Sequence, residues 1–214
     1  MPIPLVAMAK PVLVGRSSSV FTRVARIFAI ELGVDHAFRV VPDLLASEAA
    51  SYGGNPALKL PTLLTPSGKW FGSLPICREL ARLSRRTPEL VWPEALVDPV
   101  LANAQELTVQ AMTTEVAIIM AKHGAHDESS AYQRKLRQSL ESTVAWLEAH
   151  VGELGNALPR ARDLSYLEVT LFCLVKHLEF REVLPMAGYR ALHEFSRAFA
   201  ERSSAAATLY HYDT

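Results

Sequence analysis

The sequence predicts two fold classes in one chain: an α/β segment in the order βαβαββα, then an all-helical segment. Three observations predict this. Up to about residue 86, short apolar runs of strand length alternate with stretches of helical periodicity. Beyond about residue 99 only helical periodicity is left. Between the two, Thr87-Pro88, Trp92-Pro93 and Asp98-Pro99 interrupt every period, as a connection between domains does. The expected units are 1–86, a linker at 87–98, and 99–214.

Pro11-Val12-Leu13-Val14 reads as a short buried strand that runs into Gly15-Arg16 and the triplet Ser17-Ser18-Ser19. A helix follows, because Val20, Phe21, Val24, Ile27, Phe28 and Leu32 recur at helical spacing, and Gly33 supplies a stop. Ala37 to Val41 is a second strand, and Asp43 to Tyr52 a short, weaker helix ended by Gly53-Gly54. Strands joined by such a crossover lie parallel with a right-handed connection. Thr62 to Leu64 and Lys69 to Phe71, joined through Pro66-Ser67-Gly68, form an antiparallel pair, and Ser73 opens a helix through Ile76, Leu80 and Leu83. In the helical segment, Val100 to about Lys122 is a long helix with Pro99 in its first turn. Tyr132, Leu136, Leu140, Val144, Leu147 and Val151 define another, closed by Gly152 and Gly155. Ser165-Tyr166-Leu167-Glu168 has the form of a capping box, with Leu164 and Val169 as its hydrophobic staple. The helix it starts is apolar nearly all round through Leu178, which predicts a buried central helix; Leu192, Phe195 and Phe199 mark the last.

Composition narrows the function classes. Twenty-two Lys and Arg balance 22 Asp and Glu, so no overall field draws the chain to nucleic acid or to an anionic membrane. No apolar run reaches the length of a membrane span, and the start, Met1 to Ala9, does not read as a signal peptide. The two cysteines, Cys77 and Cys173, lie far apart with no metal-ligand spacing, which fits a reduced, cytoplasmic protein without a metal. His123-Gly124-Ala125-His126-Asp127 resembles a metal tract only loosely and reads as a solvated loop.

Leu58-Lys59-Leu60-Pro61-Thr62-Leu63-Leu64 carries the main functional signal. It is an apolar run with a proline just where a strand should be pairing, and proline belongs at an edge, a strand start or a bulge. A cis Leu60-Pro61 bond reconciles the two and turns backbone groups away from the sheet.

Four stretches, in order and at consistent spacing, resemble the glutathione S-transferase family. They are Ser19 to Arg26 ending at Leu32-Gly33; Asn55-Pro56 with Leu60-Pro61-Thr62-Leu63; Gly72-Ser73-Leu74-Pro75-Ile76; and Leu164 to Arg181 with Tyr189 to Ser203. The resemblance implies a thioredoxin-like N-terminal domain that binds glutathione, a helical domain that completes a pocket for a hydrophobic electrophile, and a homodimer. It implies that a serine at the first helix activates the thiol, Ser19 ranking ahead of Ser18 and Ser17; as N-caps, the same serines would need no catalytic role. It gives Leu60 and Pro61 the backbone clamp on the cysteinyl unit, Lys59 a reach to the glycyl carboxylate unless it is simply solvated, and Ser73 the γ-glutamyl carboxylate unless it only caps. Met112, Glu115 and Ile119 would border the electrophile pocket or form a core stripe. The chain departs from the pattern at Gly72, where the family commonly has an acid for the γ-glutamyl ammonium. The activities implied are thiol addition or, in the same site, glutathione-dependent isomerisation or peroxide reduction; the loss at Gly72 also suits a non-catalytic ligand- or protein-binding module.

Overall fold

The computed structural model describes residues 10–123 and 130–213; the readings at Met1–Ala9 and along the His123–Asp127 tract lie outside it, apart from the backbone of His123. Two compact units are present: Met1–Thr87 together with Ala206–Thr214, and Pro88–Ala205.

The first unit is thioredoxin-like. Its elements are β1 (Val12–Gly15), α1 (Val20–Glu31), β2 (Ala37–Val40), a 3-10 turn (Ala49–Tyr52), β3 (Thr62–Thr65), β4 (Gly68–Phe71) and α2 (Ser73–Leu83). The strands lie in the order β2-β1-β3-β4. β1 and β2 are parallel, while β3 runs antiparallel to both β1 and β4. Leu13 and Leu63 pair across β1 and β3 and are fully buried. On the other face, Val14, Val41 and Tyr52 form a cluster onto which Val12, Leu60 and Leu64 pack. Both faces are covered, which is why these strands read as apolar runs rather than as alternating ones. α1 and α2 pack on each other, and Val24, Ile27, Phe28, Ile76 and Leu80 on them are all buried.

The expected helix from Asp43 to Tyr52 is reduced to that single 3-10 turn. The Asp43 carboxylate accepts the Leu45 N–H at 2.8 Å, a local turn that competes with helix formation. The Tyr52 hydroxyl then donates to the Leu44 carbonyl at 2.7 Å and ties the irregular stretch down.

The second unit is helical: α3 (Pro99–His123), α4 (Ala131–Ala157), α5 (Tyr166–Arg181), α6 (Arg190–Ala200) and α7 (Ser203–Ala206). Within the linker stretch, β5 (Leu90–Val91) pairs in parallel with β6 (Leu164–Ser165), a contact the sequence did not announce. α5 is buried along most of its length, as its all-round apolarity predicts, and Phe172 stacks on Phe199 of α6 with ring centroids 4.6 Å apart. α4 continues through Gly152 and Gly155 instead of closing there. Exposed glycines weaken a helix by only about 1 kcal/mol each, too little to end one anchored by Val151 and Leu154.

The capping box is also corrected. Ser165 is the N-cap of α5, yet its side chain makes no capping bond. Glu168 instead receives both arms of Arg162 at 2.6 and 2.9 Å, a charge-assisted fork stronger than a bond to a neutral backbone N–H. The start of α6 is capped from a distance, with the Glu148 carboxylate accepting the Ala191 and Leu192 N–H groups at 2.9 Å each.

Inside this unit the Glu115 carboxylate lies 2.8 Å from Nδ1 of His177, both side chains almost wholly buried. Burial pushes the Glu115 carboxyl above its ordinary range, and the neighbouring His177 and Arg181 oppose that shift. A raised folded-state pKa means that the native protein holds this proton more tightly than the unfolded chain does. The contribution to stability is therefore full at low pH and falls as pH rises through the ordinary carboxylate range toward the raised value. Relative to Glu115→Gln, wild-type protein is expected to lose thermal stability as pH rises above the ordinary carboxylate range. Parallel melting curves for the two proteins over that rise would contradict this.

Candidate functional site

The site is built by strand register in the first unit. Val14 lies opposite Thr62, and Thr62 lies opposite Phe71. The end of β1, the start of β3 and the end of β4 therefore share one edge of the sheet. Three segments meet there: Arg16 to Ser19 entering α1, Leu60-Pro61 entering β3, and Gly72-Ser73 entering α2.

Each segment has its own brace. Arg16 to Ser19 is a turn closed by the Ser19 N–H on the Arg16 carbonyl at 3.2 Å. Ser19 is the N-cap of α1 with extended backbone, and its Oγ accepts the Thr22 N–H at 3.2 Å. Ser18 and Ser19 are half-buried, while Ser17 is buried with its Oγ 3.5 Å from Nη1 of Arg26. The Leu60-Pro61 peptide bond is cis. Among the described residues, neither the N–H nor the C=O of Leu60 has a hydrogen-bond partner, although the side chain packs on the Val14-Val41-Tyr52 cluster. The loop before it is set by Asn55, whose amide donates to the Lys59 carbonyl at 2.8 Å and accepts the Ala57 N–H at 3.0 Å. The Lys59 side chain is exposed. The Pro61 carbonyl accepts the Gly72 N–H at 3.2 Å, and the Thr62 hydroxyl donates to the Tyr52 carbonyl at 2.8 Å. Ser73 is buried at the first position of α2.

Two helix starts lend the edge partial positive charge. α1 and α2 both begin there, and neither has an acidic residue in its first turn. Their free N–H groups and dipoles favour an anion at either start. The unpaired Leu60 backbone between them is suited to an extended peptide laid along it as an added strand.

Gly72 has φ +79°, a conformation that side chains other than glycine rarely adopt, and a Cβ there would meet open space. The backbone, not crowding, accounts for the missing acid. Arg16 donates to the Pro42 carbonyl at 3.3 Å and lies 3.9 Å from the Asp213 carboxylate. Met112, Glu115 and Ile119 are buried inside the helical unit, with Glu115 against His177. Asn55 carried a readable signal, an Asn before a proline, whereas Asp213 carried none. Among the described residues, no group of His, Cys, Asp or Glu is placed to hold a metal, and no helix is long and apolar enough to cross a membrane.

A thioredoxin-like unit with two helix starts over an unpaired strand entry, followed by a helical unit, defines the class of glutathione transferase folds. Residues 18–83 match the family model described as the glutathione S-transferase N-terminal domain. Over nearly the whole chain the fold is shared with solved glutathione transferases. A glutathione S-transferase from Methylobacterium radiotolerans JCM 2831, in complex with glutathione sulfonate, shares the fold at 21% identity and TM-score 0.73, over 95% of this chain and 96% of that one. A glutathione transferase family member from Pseudomonas fluorescens Pf-5 with bound glutathione does so at 19% identity and TM-score 0.75, over 94% and 99%. One from Methylobacillus flagellatus KT with glutathione bound gives 21% identity and TM-score 0.72, over 94% and 100%. No curated protein matches the sequence.

Gly72→Ala is expected to lower unfolding stability by about 1–2 kcal/mol despite the open space around it, because of backbone strain alone. The midpoint of urea unfolding measures this; an unchanged midpoint would show that the segment relaxes freely.

Proposed function

We propose that this protein is a glutathione transferase-type enzyme in which a serine hydroxyl at the start of α1 activates the glutathione thiol for attack on a hydrophobic electrophile. The observation that carries the reading is the shared edge, where the Val14-Thr62-Phe71 register brings two helix starts and the unpaired Leu60 backbone together.

The thiolate is the nucleophile, and an unperturbed thiol has a pKa near ~8.5. Lowering that by about two units takes roughly 2.7 kcal/mol of selective stabilisation of the anion. Ser19 is first choice for supplying part of it. Its oxygen already accepts from Thr22, which leaves the O–H to donate to sulfur and polarises it to do so. Ser18 is next and Ser17, buried beside Arg26, is third. The activated sulfur forms a bond to the electrophilic carbon while the leaving group, or the electron pair of an addition acceptor, departs from that carbon. Leu60 and Pro61 hold the cysteinyl backbone, Ser73 and the start of α2 take the γ-glutamyl carboxylate, and Lys59 reaches the glycyl carboxylate. A homodimer and a cytoplasmic setting go with this reading; the two cysteines, both buried and in no disulfide, fit the second.

Gly72 favours a second reading, a module that binds ligands or proteins without catalysis. Without an acid there, glutathione loses one charge-assisted bond, about 1.5–3 kcal/mol.

Millimolar glutathione is expected to raise the melting temperature by mass action on the folded state. No shift at ~10 mM would favour the silent module. Ser19→Ala is expected to reduce conjugation of a chloronitroaromatic by about tenfold, the effect of losing over a kcal/mol of anion stabilisation. Unchanged turnover would move the role to Ser18 or Ser17, and binding without turnover in wild type would support the second reading.

A further inference from the structure

The stretch 207–213 has no helix or strand, yet it is firmly attached to the first unit. Thr208 is fully buried and its Oγ1 accepts from Nε of Arg23 at 3.4 Å. The Arg23 guanidinium lies over the Tyr210 ring, 4.4 Å from its centre. These contacts deliver Asp213 to the start of α1, where Oδ2 accepts the Ser17 N–H at 2.8 Å across 196 residues of sequence. The Asp213 side chain is only 9% exposed.

The bond falls on the second residue of the Arg16–Ser19 turn, whose closing bond uses the Ser19 N–H and leaves that of Ser17 available. A carboxylate accepting from an N–H is a strong, short anchor. Its charge is balanced locally by Arg16 at 3.9 Å and by Arg26, and His211 Nε2 lies 3.8 Å from Oδ1. Arg26 feels the same carboxylate: burial lowers its pKa, Asp213 opposes that, and nearby Arg23 adds to it. The repulsion that Asp213 would exert on a thiolate is therefore offset by guanidinium groups, and its geometric effect on the turn is what is left.

We infer that Asp213 is a positioning residue for the serine cluster, holding the Arg16–Ser17 backbone and, through it, the Ser18 and Ser19 hydroxyls. This rests on the serine-activated reading for its catalytic consequence, but not for its structural one. The test compares full-length Asp213→Ala and Asp213→Asn with wild type. Asp213→Ala removes the acceptor; it is expected to cut kcat for conjugation about tenfold, leave KM for glutathione within about twofold and shift the ultraviolet titration of the bound thiol about one pH unit upward. Asp213→Asn keeps an acceptor oxygen and is expected to restore most of the loss, which a purely electrostatic role would not allow. Hydrogen exchange at the Ser17 to Ser19 amides of ligand-free protein supplies a readout independent of glutathione, faster in Asp213→Ala and restored in Asp213→Asn. Unchanged exchange, or an asparagine variant no better than alanine, overturns the inference. Wild-type protein that binds no glutathione overturns the proposed function alone.

Discussion

The register of β3 between β1 and β4 is the constraint on which the site depends. With Val14 and Phe71 both opposite Thr62, three chain segments distant in sequence are forced to one edge. A slip of one residue would turn the Leu63 side of β3 to the opposite face and carry Leu60 away from the start of α1. Two bonds resist it. The Thr62 hydroxyl fixes the strand to the Tyr52 carbonyl, and the Pro61 carbonyl fixes its entry to Gly72. The Tyr52 ring in turn sits in the cluster that buries the Leu60 side chain, so packing and site geometry are set by the same residues.

Most of this framework was legible in the sequence because it is written in local signals. Short apolar runs and helical spacing, the serines before Val20, the proline before Thr62 and the Pro66-Ser67-Gly68 turn each act within a few residues. Where the reading failed, a stronger local or distant partner won. Asp43 took the Leu45 N–H and dissolved the expected second helix. Arg162 drew Glu168 out of its capping box, and the packing of α4 carried it through two glycines. Of the candidate site, Ser17 to Ser19 and Leu60-Pro61 were legible as segments, but their mutual placement is a property of the register. Partners distant in sequence were not legible, since Glu148 caps α6 from 43 residues away and Asp213 reaches Ser17 from 196.

Charge is distributed with the same economy of place. The balanced composition conceals helix starts treated in opposite ways. The start of α6 is neutralised by the Glu148 carboxylate. α1 and α2 carry no acid of their own in the first turn, and at α1 the nearest brace is a carboxylate already matched by guanidinium groups.

The attachment of residues 206–213 to the first unit has a consequence for biosynthesis. The turn that bears the serines leaves the ribosome before the stretch from Pro88 to Ala205, whereas its anchor follows that stretch. At roughly 5–20 residues per second the delay is on the order of ten seconds, long compared with helix and hairpin formation. The nascent first unit can form its sheet in that interval, but its serine turn is completed only after the helical unit has been made. Closing so long a loop adds little free-energy cost beyond that of a moderate one. The arrangement therefore orders events in time: the sheet first, and the braced serine turn only after the helical unit.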